Sequence, residues 1–343
     1  MKVLLLAGGN SSERQVSLDS SAAIARALEQ LGHQVDILDP ASGERLQSDG
    51  KKLLPISGDP SAAVDITSAP VASPAFRQEI MAGRPEWEVV FLGLHGGAGE
   101  NGTIQNLLEL AGLAYTGSNM TASAVAMDKA ITKRVMQSLD MPTPAFAVYR
   151  IHAESYYERA AQEIAERFDL PVIVKPNDSG STVGLTRVSE QSQMVEALRR
   201  CARESSNVLV EEYVAGREMT VAVLNGQALP VVEIRPKSGL YDYEAKYTKG
   251  KTEYVTPAPI DDAVAQQMQS AAVSLYDAIG AEGLARVDFI LDDHDTAHCL
   301  ELNTLPGMTE LSLSPMAARA AGISFEQLVD RIVTSAMERH ARQ

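Results

Sequence analysis

The chain has 343 residues, of which 45% are hydrophobic, and its formal net charge is −15 at pH 7. This length predicts two or three domains around a shared cleft, and the negative charge argues against a nucleic acid or an anionic membrane as partner, because both attract basic surfaces. The two cysteines, Cys201 and Cys299, lie far apart and in no closely spaced pattern, which argues against a disulfide scaffold or a thiolate zinc site.

The first predicted elements form a βαβ unit over residues 2–38. A short apolar run, "VLLLA", precedes two glycines; it is too short for a signal peptide or a membrane span, so we expect a reduced, cytoplasmic protein. Ile24, Leu28 and Leu31 have helical spacing, and Gly32 is typical of a helix end. The unit is Rossmann-like but lacks the GxGxxG pattern, which argues against a dinucleotide-binding dehydrogenase.

The next predicted elements are less regular. Residues 40–84 are rich in Ser, Asp, Pro and Gly, and their weak periodicity predicts a loose excursion with about one short strand. A buried strand then leads into the turn "HGGAGENG", which begins with His95, and a short helix follows it and ends at Gly112. Taken alone, His95 is more typical of a structural histidine than of a functional one.

A helix predicted over residues 121–139 precedes a second α/β block with helices in 153–168 and 190–203. Within this block "VIVKPNDSGSTVG" predicts strand, glycine-serine turn and strand, with Lys175 just before the turn. Glycines allow backbone N–H groups to approach phosphates, and a lysine supplies charge, so the turn favours a nucleotide triphosphate. It is not a Walker loop, since that loop leads into a helix, and an ordinary β-hairpin stays the alternative.

Three further strands are predicted near 208–214, 218–225 and 230–236. They precede a long polar and aromatic segment, 237–258, which indicates a lid or binding loop. The motif "VEEYVAGRE" places carboxylates where they could accept hydrogen bonds from an adenine amino group or ribose hydroxyls, but as a solitary motif it is weak.

The last predicted strand pair carries the strongest chemical signal. If "GLARVDFIL" and "HCLELN" form a hairpin centred on residues 294–295, Asp288 lies opposite Glu301, and Arg286 lies opposite Asn303. Leu300 and Leu302 are then expected on the other, buried face. Two facing carboxylates repel unless a cation lies between them, and Mg²⁺ prefers such oxygen ligands; a solvated outer face is the alternative.

Eight separated motifs together resemble the D-alanine–D-alanine ligases of the ATP-grasp superfamily. In chain order they are "GGNSSERQVSL", "LHGGAGENGTIQ", "YTGSNMTASAVAMDK", "PVIVKPNDSGSTVG", "VEEYVAGRE", "YDYEAKY", "ARVDFI" and "ELNTLPGMTELSLSP". The resemblance implies an α/β, three-domain ATP-grasp fold with a Rossmann-like N-terminal domain. We expect domains at 1–117 (pre-ATP-grasp), 118–209 (central subdomain) and 210–343 (C-terminal subdomain with metal site and lid).

The resemblance also implies a role for each matching residue in binding ATP and metal. Two Mg²⁺ ions, or Mn²⁺ in their place, would be held against the ATP phosphates by Asp288, Glu301 and Asn303. The phosphates would contact Lys129, Lys175 and Lys246. The adenosine pocket would be lined by Glu211, Tyr213, Val214 and Glu218.

Further roles concern the amino-acid substrates. Glu13 would hold the ammonium group of the first D-alanine, and hydrogen bonds from Glu13 through Ser181 and Tyr247 would close the lid. An oxyanion would face Arg286 and the N–H of Gly307. The carboxylate of the second D-alanine would be received by Ser312 and Leu313, with His95 beside the substrates.

The function implied is ATP-dependent synthesis of D-alanyl-D-alanine through an acyl phosphate, for peptidoglycan. The alternatives are a ligase of the same fold with D-lactate, D-serine or another amino acid as second substrate, and a non-catalytic nucleotide-binding protein. The family also implies a homodimer acting on small molecules in the cytoplasm.

Overall fold

The computed structural model of the protein describes residues 1–49, 52–56, 65, 68–82, 86–180, 183–237, 250–310 and 312–342. Within these residues the strands form three sheets of five, four and six strands. Four buried hydrophobic clusters lie between these sheets and the helices that cover them.

The five-stranded sheet has the strand order β4-β3-β2-β1-β5. Its strands are β1 (Lys2–Leu6), β2 (Gln34–Leu38), β3 (Arg45–Ser48), β4 (Leu53–Pro55) and β5 (Val89–Leu92). β1 pairs in parallel with β2 and β5, and helix α1 (Arg14–Gln30) connects β1 to β2, which confirms the predicted βαβ unit. The described residues of the excursion at 40–84 include two short strands and helix α2 (Pro74–Met81), where about one short strand was expected, because β3 and β4 are too short to give a clear sequence period.

The four-stranded sheet has the order β6-β9-β7-β8 and carries the glycine-serine turn. Its strands are β6 (Phe146–Arg150), β7 (Val172–Pro176), β8 (Thr186–Val188) and β9 (Asn207–Glu212). β7 and β8 pair antiparallel, as a turn from strand to strand requires. The whole of β9 pairs with β6 and β7, so the residues on both sides of position 209/210 belong to this sheet.

The six-stranded sheet has the order β13-β12-β10-β14-β15, and β11 pairs with the end of β10. Its strands are β10 (Arg217–Leu224), β11 (Gln227–Ala228), β12 (Val232–Pro236), β13 (Thr252–Val255), β14 (Leu284–Leu291) and β15 (Ala297–Asn303). Each pairing within this sheet is antiparallel.

The remaining helices cover the sheets. They are α3 (Thr103–Leu110), α4 (Met120–Met127), α5 (Lys129–Ser138), α6 (Tyr157–Arg167), α7 (Met194–Ala202), α8 (Asp262–Ile279), α9 (Leu313–Ala320) and α10 (Phe325–His340). Helices α4, α5 and α8 share a core with the inner face of the six-stranded sheet, whereas α9 and α10 share a core with α1 and the five-stranded sheet. Among the described residues, no helix has the length and apolarity needed to cross a bilayer.

The single helix predicted over 121–139 is two helices, divided at Asp128. Asp128 has an extended backbone, and its carboxylate accepts a hydrogen bond from the N–H of Ile131 at 2.9 Å, which caps the start of α5. The N–H of Lys129 donates to the carbonyl of Asn177 at 3.0 Å. The break therefore ties the first residue of α5 to the glycine-serine turn.

Candidate active site

A cleft lies between the four-stranded and the six-stranded sheets. β7 and β9 supply residues to one wall, and β10, β12, β14 and β15 supply residues to the other. The predicted ligands of ATP and metal that line this one cleft are Lys129, Lys175, Glu211, Tyr213, Val214, Glu218, Asp288 and Glu301. The sequence had placed these residues on five separate motifs, and the fold brings them together.

The predicted register of the last hairpin is confirmed. Asp288 pairs with Glu301 and Arg286 pairs with Asn303. One detail was wrong: the register shifts next to Asp288 and Glu301, and Leu300 lines the cleft instead of facing the buried side with Leu302. A β-bulge adds one residue to a strand and so breaks its alternation, which leaves Cys299 as the buried neighbour.

Hydrogen bonds fix the carboxylate of Asp288 in one orientation. The guanidinium of Arg286 donates to both of its oxygens at 2.8 Å, and the hydroxyl of Thr220 donates to Oδ1 at 2.6 Å. Thr220 lies directly opposite Asp288 on β10, so the antiparallel register supplies this donor. A fork of this kind is the strongest common way to hold a carboxylate.

Glu301 and Asn303, both on β15, add two side chains with oxygen atoms that could bind a cation together with Asp288 on β14. The ammonium of Lys129 lies 3.2 Å from Glu301 Oε2, and it also donates to the carbonyl of Ser179 at 2.8 Å. The side-chain oxygen of Asn303 accepts from the N–H of Leu305 at 2.8 Å, which orients the amide.

This donor set fits a hard divalent cation. Oxygen is the ligand atom that Mg²⁺ prefers, and Mg²⁺ commonly takes one or two carboxylates and completes its shell with water and phosphate oxygens. In the described part of the chain, no three or more His, Cys, Asp and Glu side chains gather as a metal cage. The pair Asp288 and Glu301, with the Asn303 amide nearby, offers oxygen ligands of the kind that Mg²⁺ takes when water and phosphate oxygens complete its shell.

The opposite wall holds a buried ion cluster around Glu211. The ammonium of Lys175 lies 2.7 Å from Glu211 Oε2, and that of Lys133 lies 2.9 Å from Oε1. Burial alone would raise the pKa of Glu211, but the two ammonium groups outweigh it and hold this pKa below its usual range. Burial lowers the pKa of Lys133, whereas for Lys175 the nearby carboxylates, led by Glu211, overcome burial and raise the pKa.

Tyr213 and Val214 follow β9 and form the rim of the cleft. The guanidinium of Arg187, on β8, lies 4.0 Å from the centroid of the Tyr213 ring, within the range of a cation–π contact. The ring is thereby held at the rim, beside the apolar side chains of Ile173 and Leu185 that also line the cleft. Such a lining suits the flat, apolar faces of an aromatic base.

Glu13 lies where the N-terminal βαβ unit meets the glycine-serine turn. A Cβ atom added to Gly180 would lie 2.6 Å from Glu13 Oε2, and one added to Gly96 would lie at the same distance from it. A side chain at either position would displace the Glu13 carboxylate from its place. The fold thus brings the start of α1, the end of β5 and the turn after β7 to one point, as the sequence motifs implied.

A loop after β15 carries Gly307 and is anchored to the N-terminal domain. His95 is 5% exposed; its Nδ1 lies 3.0 Å from the carbonyl oxygen of Leu305, and its Nε2 lies 3.1 Å from the hydroxyl of Ser20. The N–H of Met308 donates to the same hydroxyl at 3.3 Å. Both ring nitrogens of His95 are therefore engaged by the protein, and His95 contacts the loop that carries Gly307 through the carbonyl of Leu305.

Ser312 and Leu313 stand at the start of α9. Ser312 Oγ lies 2.8 Å from the hydroxyl of Thr309 and accepts from its N–H at 3.1 Å, and a Cβ on Gly307 would lie 3.0 Å from Ser312 Oγ. Leu313 is the first helical residue, and N–H groups in the first turn of a helix have no partner within the helix. A carboxylate can be received at such a position.

Three of the predicted site residues, Ser181, Lys246 and Tyr247, lie outside the described residues. Sequence reasoning also missed residues that the structure places at the site: Ser20, Lys133, Arg187 and Thr220. Lys133 had a signal, since it follows Ala130 and precedes Met136 by three residues each and so shares their buried face of α5.

Family models and relatives agree on what the chain is similar to. Residues 2–118 match the family model described as the N-terminus of D-ala D-ala ligase, and residues 135–334 match its C-terminus. A D-alanine–D-alanine ligase of Syntrophotalea carbinolica is 40% identical over 337 residues, covering 98% of this chain and 96% of the relative. One of Bordetella petrii is 41% identical over 339 residues, covering 98% and 92%.

Solved structures are similar along the whole length as well. The D-alanine–D-alanine ligase from Coxiella burnetii has a TM-score of 0.81 and 26% identity, covering 100% of this chain and 95% of that one. The VanG D-Ala:D-Ser ligase from Enterococcus faecalis has a TM-score of 0.79 and 28% identity, covering 98% and 99%.

Proposed function

The chain belongs to the D-alanine–D-alanine ligase family, and from this premise we propose how its cleft carries out the reaction. It has the ATP-grasp fold, and it is an ATP-dependent ligase that joins two D-alanines for peptidoglycan synthesis. Curated relatives near 40% identity do not favour the alternative second substrates or a non-catalytic protein.

The first step activates a carboxylate. A carboxylate is a poor acyl donor, so transfer of the terminal phosphoryl group of ATP to the first D-alanine gives a reactive acyl phosphate. Lys129 and Lys175 supply positive charge where negative charge gathers on the phosphates. Asp288, Glu301 and Asn303 would hold two Mg²⁺ ions, or Mn²⁺, which neutralise phosphate charge when bound.

In the second step, the amine of the second D-alanine attacks the acyl phosphate, and phosphate leaves. The tetrahedral intermediate carries an oxyanion that needs fixed donors. Arg286 binds both oxygens of Asp288, and we assign its guanidinium and the N–H of Gly307 to the oxyanion. Ser20 and His95 hold the loop that presents Gly307.

The amino-acid ends of the substrates occupy the meeting point of the domains. Glu13 receives the first ammonium group, and the start of α9, with Ser312 and Leu313, receives the second carboxylate. An acyl phosphate hydrolyses in water, so the segment 237–258, with Lys246 and Tyr247, is proposed as a lid that links through Ser181 to Glu13. We further propose a homodimer in the cytoplasm.

One observation supports this proposal most strongly. Asp288 on β14 lies directly opposite Glu301 on the adjacent strand β15, and both face a cleft that is also lined by Lys129 and Lys175. It is tested by incubating the protein with ATP, Mg²⁺ and a panel of D- and L-amino acids and D-lactate, followed by mass analysis of the products. We expect D-alanyl-D-alanine and ADP in equal amounts. A main product containing D-lactate, D-serine or an L-amino acid would contradict the assignment, and so would ADP without any ligated product.

A further inference from the structure

Lys133 is the most completely buried charged residue beside the cleft, and none of the roles above uses it. Its side chain is 0% exposed, and it is absent from the cleft lining. Its ammonium lies 2.9 Å from Glu211 Oε1 and donates to the hydroxyl of Thr143 at 2.6 Å. That hydroxyl donates to the carbonyl of Cys299 at 2.7 Å. Lys133 thus links β15, in the six-stranded sheet, to Glu211 in the four-stranded sheet.

The cluster contains two ammonium groups and one carboxylate. Glu211 is 2% exposed, and each of its oxygens is bound by a different lysine. Its single negative charge is therefore divided, and the cluster keeps one net positive charge. Of the two lysines, only Lys175 lines the cleft, so the surplus charge acts on whatever binds there.

Apolar residues in place of both Lys133 and its partner would fill the same space without removing an ammonium group and a carboxylate from water. Replacing buried ion pairs by well-packed apolar groups is often neutral or stabilising. Stability alone is therefore a weak reason for a lysine here. An electrostatic effect on the neighbouring cleft is a more direct reason for a lysine here, because charges in a low-dielectric interior act strongly over several ångströms.

We propose that Lys133 is a positioning residue of the nucleotide site: by sharing the charge of Glu211 it leaves Lys175 with positive charge for the phosphates. The inference rests on the proposed ATP site. Without Lys133, Glu211 would neutralise Lys175 fully, and the cluster would have no net charge. A nucleotide with phosphates would then bind more weakly, whereas the nucleoside, which has none, would bind as before.

The test compares ADP with adenosine by isothermal titration calorimetry at a constant Mg²⁺ concentration. Lys133→Met should weaken ADP binding about tenfold and change adenosine binding less than about twofold. Adding Glu211→Gln restores the net charge. Because Glu211 also lines the cleft, the measured quantity for the double variant is the ratio of ADP affinity to adenosine affinity, which should return to within about threefold of its value in the unmodified protein. Thr143→Val removes a hydrogen bond of Lys133 without changing charge, and it should leave ADP binding within about twofold.

A structural role predicts different results. It predicts that Lys133→Met and Thr143→Val weaken the binding of ADP and of adenosine to the same extent and also lower the melting temperature. It further predicts that the double variant binds ADP no more tightly than Lys133→Met does. Either result would overturn the inference. If Lys133→Met alone does not fold, the test uses the double variant. If that variant binds ADP about tenfold more weakly and adenosine as before, the net charge of the cluster does not explain the role of Lys133. Failure of the unmodified protein to bind ADP would instead refute the proposed nucleotide site.

Discussion

The two sheets that face each other across the cleft carry charge in opposite ways. On the four-stranded sheet, the carboxylate of Glu211 is buried and bound on both oxygens by lysines. On the six-stranded sheet, Asp288 on β14 pairs with Glu301 on β15. Both are partly exposed, with Arg286 beside Asp288 and Lys129 beside Glu301. Like charges so placed repel, which a closed ion cluster avoids.

The difference separates two tasks. A buried, fully paired carboxylate is a fixed part of the protein and acts on a ligand through the lysines that it orients. A pair of partly exposed carboxylates that faces a cleft remains open to a further cation, so part of its stabilisation depends on the ligand. The comparison predicts that charge removal on the six-stranded sheet affects chemistry, whereas charge removal on the other affects nucleotide affinity.

Removing the charge of Glu301 should have the largest effect. Glu301→Gln keeps the shape of the side chain but offers a neutral oxygen, so kcat for ADP formation should fall on the order of 1000-fold or more while the fold persists. Turnover is measured by a coupled ADP assay, and the fold by circular dichroism and the melting temperature. Near-normal turnover at saturating Mg²⁺ in a folded variant would refute the metal assignment.

Arg286→Met should have the next largest effect. We expect kcat to fall about 100-fold through lost oxyanion stabilisation, with ATP affinity largely kept. Arg286 also holds both oxygens of Asp288, so the Mg²⁺ dependence of kcat separates its two roles. A defect that persists at saturating Mg²⁺ supports the oxyanion role, and a collapse of ATP affinity would exclude it.

Thr220→Val sharpens the comparison further, because it leaves every charge in place. The variant loses only the hydroxyl that donates to Asp288 at 2.6 Å. Groups that orient a metal ligand commonly affect metal affinity or activity 10–100-fold, so we expect about a tenfold higher Mg²⁺ concentration for half-maximal rate. Thr132→Val is the matched control. It also removes a buried hydroxyl, but the Thr132 hydroxyl donates to the carbonyl of Val125, between α5 and α4, and not to Asp288. Equal Mg²⁺ dependence in both variants would show that Asp288 needs no such support.

Much of the six-stranded wall could be predicted from local sequence patterns, whereas the buried ion cluster of the other wall could not. The register of β14 and β15 follows from the position of one turn and from the alternation of side chains along each strand, and both are local properties of the sequence. The β-bulge at Leu300 was missed because an extra residue leaves no mark on residue types. The role of Lys133 depends on a tertiary contact between α5 and β9, and a lysine on a helix ordinarily indicates a solvated face. The break at Asp128 similarly depends on Asn177, far away in sequence.

The smallest expected effect concerns the turn that sets the register of the carboxylate pair. Asp292 accepts hydrogen bonds from the N–H groups of His294 and Thr296 and lies 2.9 Å from Nε2 of His298. The hydrogen bond to His298, followed by that from Thr296, lowers the pKa of Asp292 from 3.8 to about 2. A carboxyl whose pKa is lowered in the folded state contributes stability above its unfolded-state pKa, and this contribution is lost as pH falls toward the folded value.

Asp292→Asn should therefore lower the urea midpoint slightly between pH 5 and pH 7, and the difference from the unmodified protein should shrink below about pH 4. Asp293→Asn is the matched control, since it removes one charge from the exposed neighbour in the same turn. We expect kcat in Asp292→Asn to stay within about twofold, because eight described residues of β14 pair with β10 and hold that strand without the turn. A large loss of kcat would show that the turn, rather than the sheet, keeps Asp288 opposite Glu301. A midpoint difference that does not depend on pH would mean that the Asp292 carboxylate is not the stabilising group, since an uncharged contact does not titrate in this range.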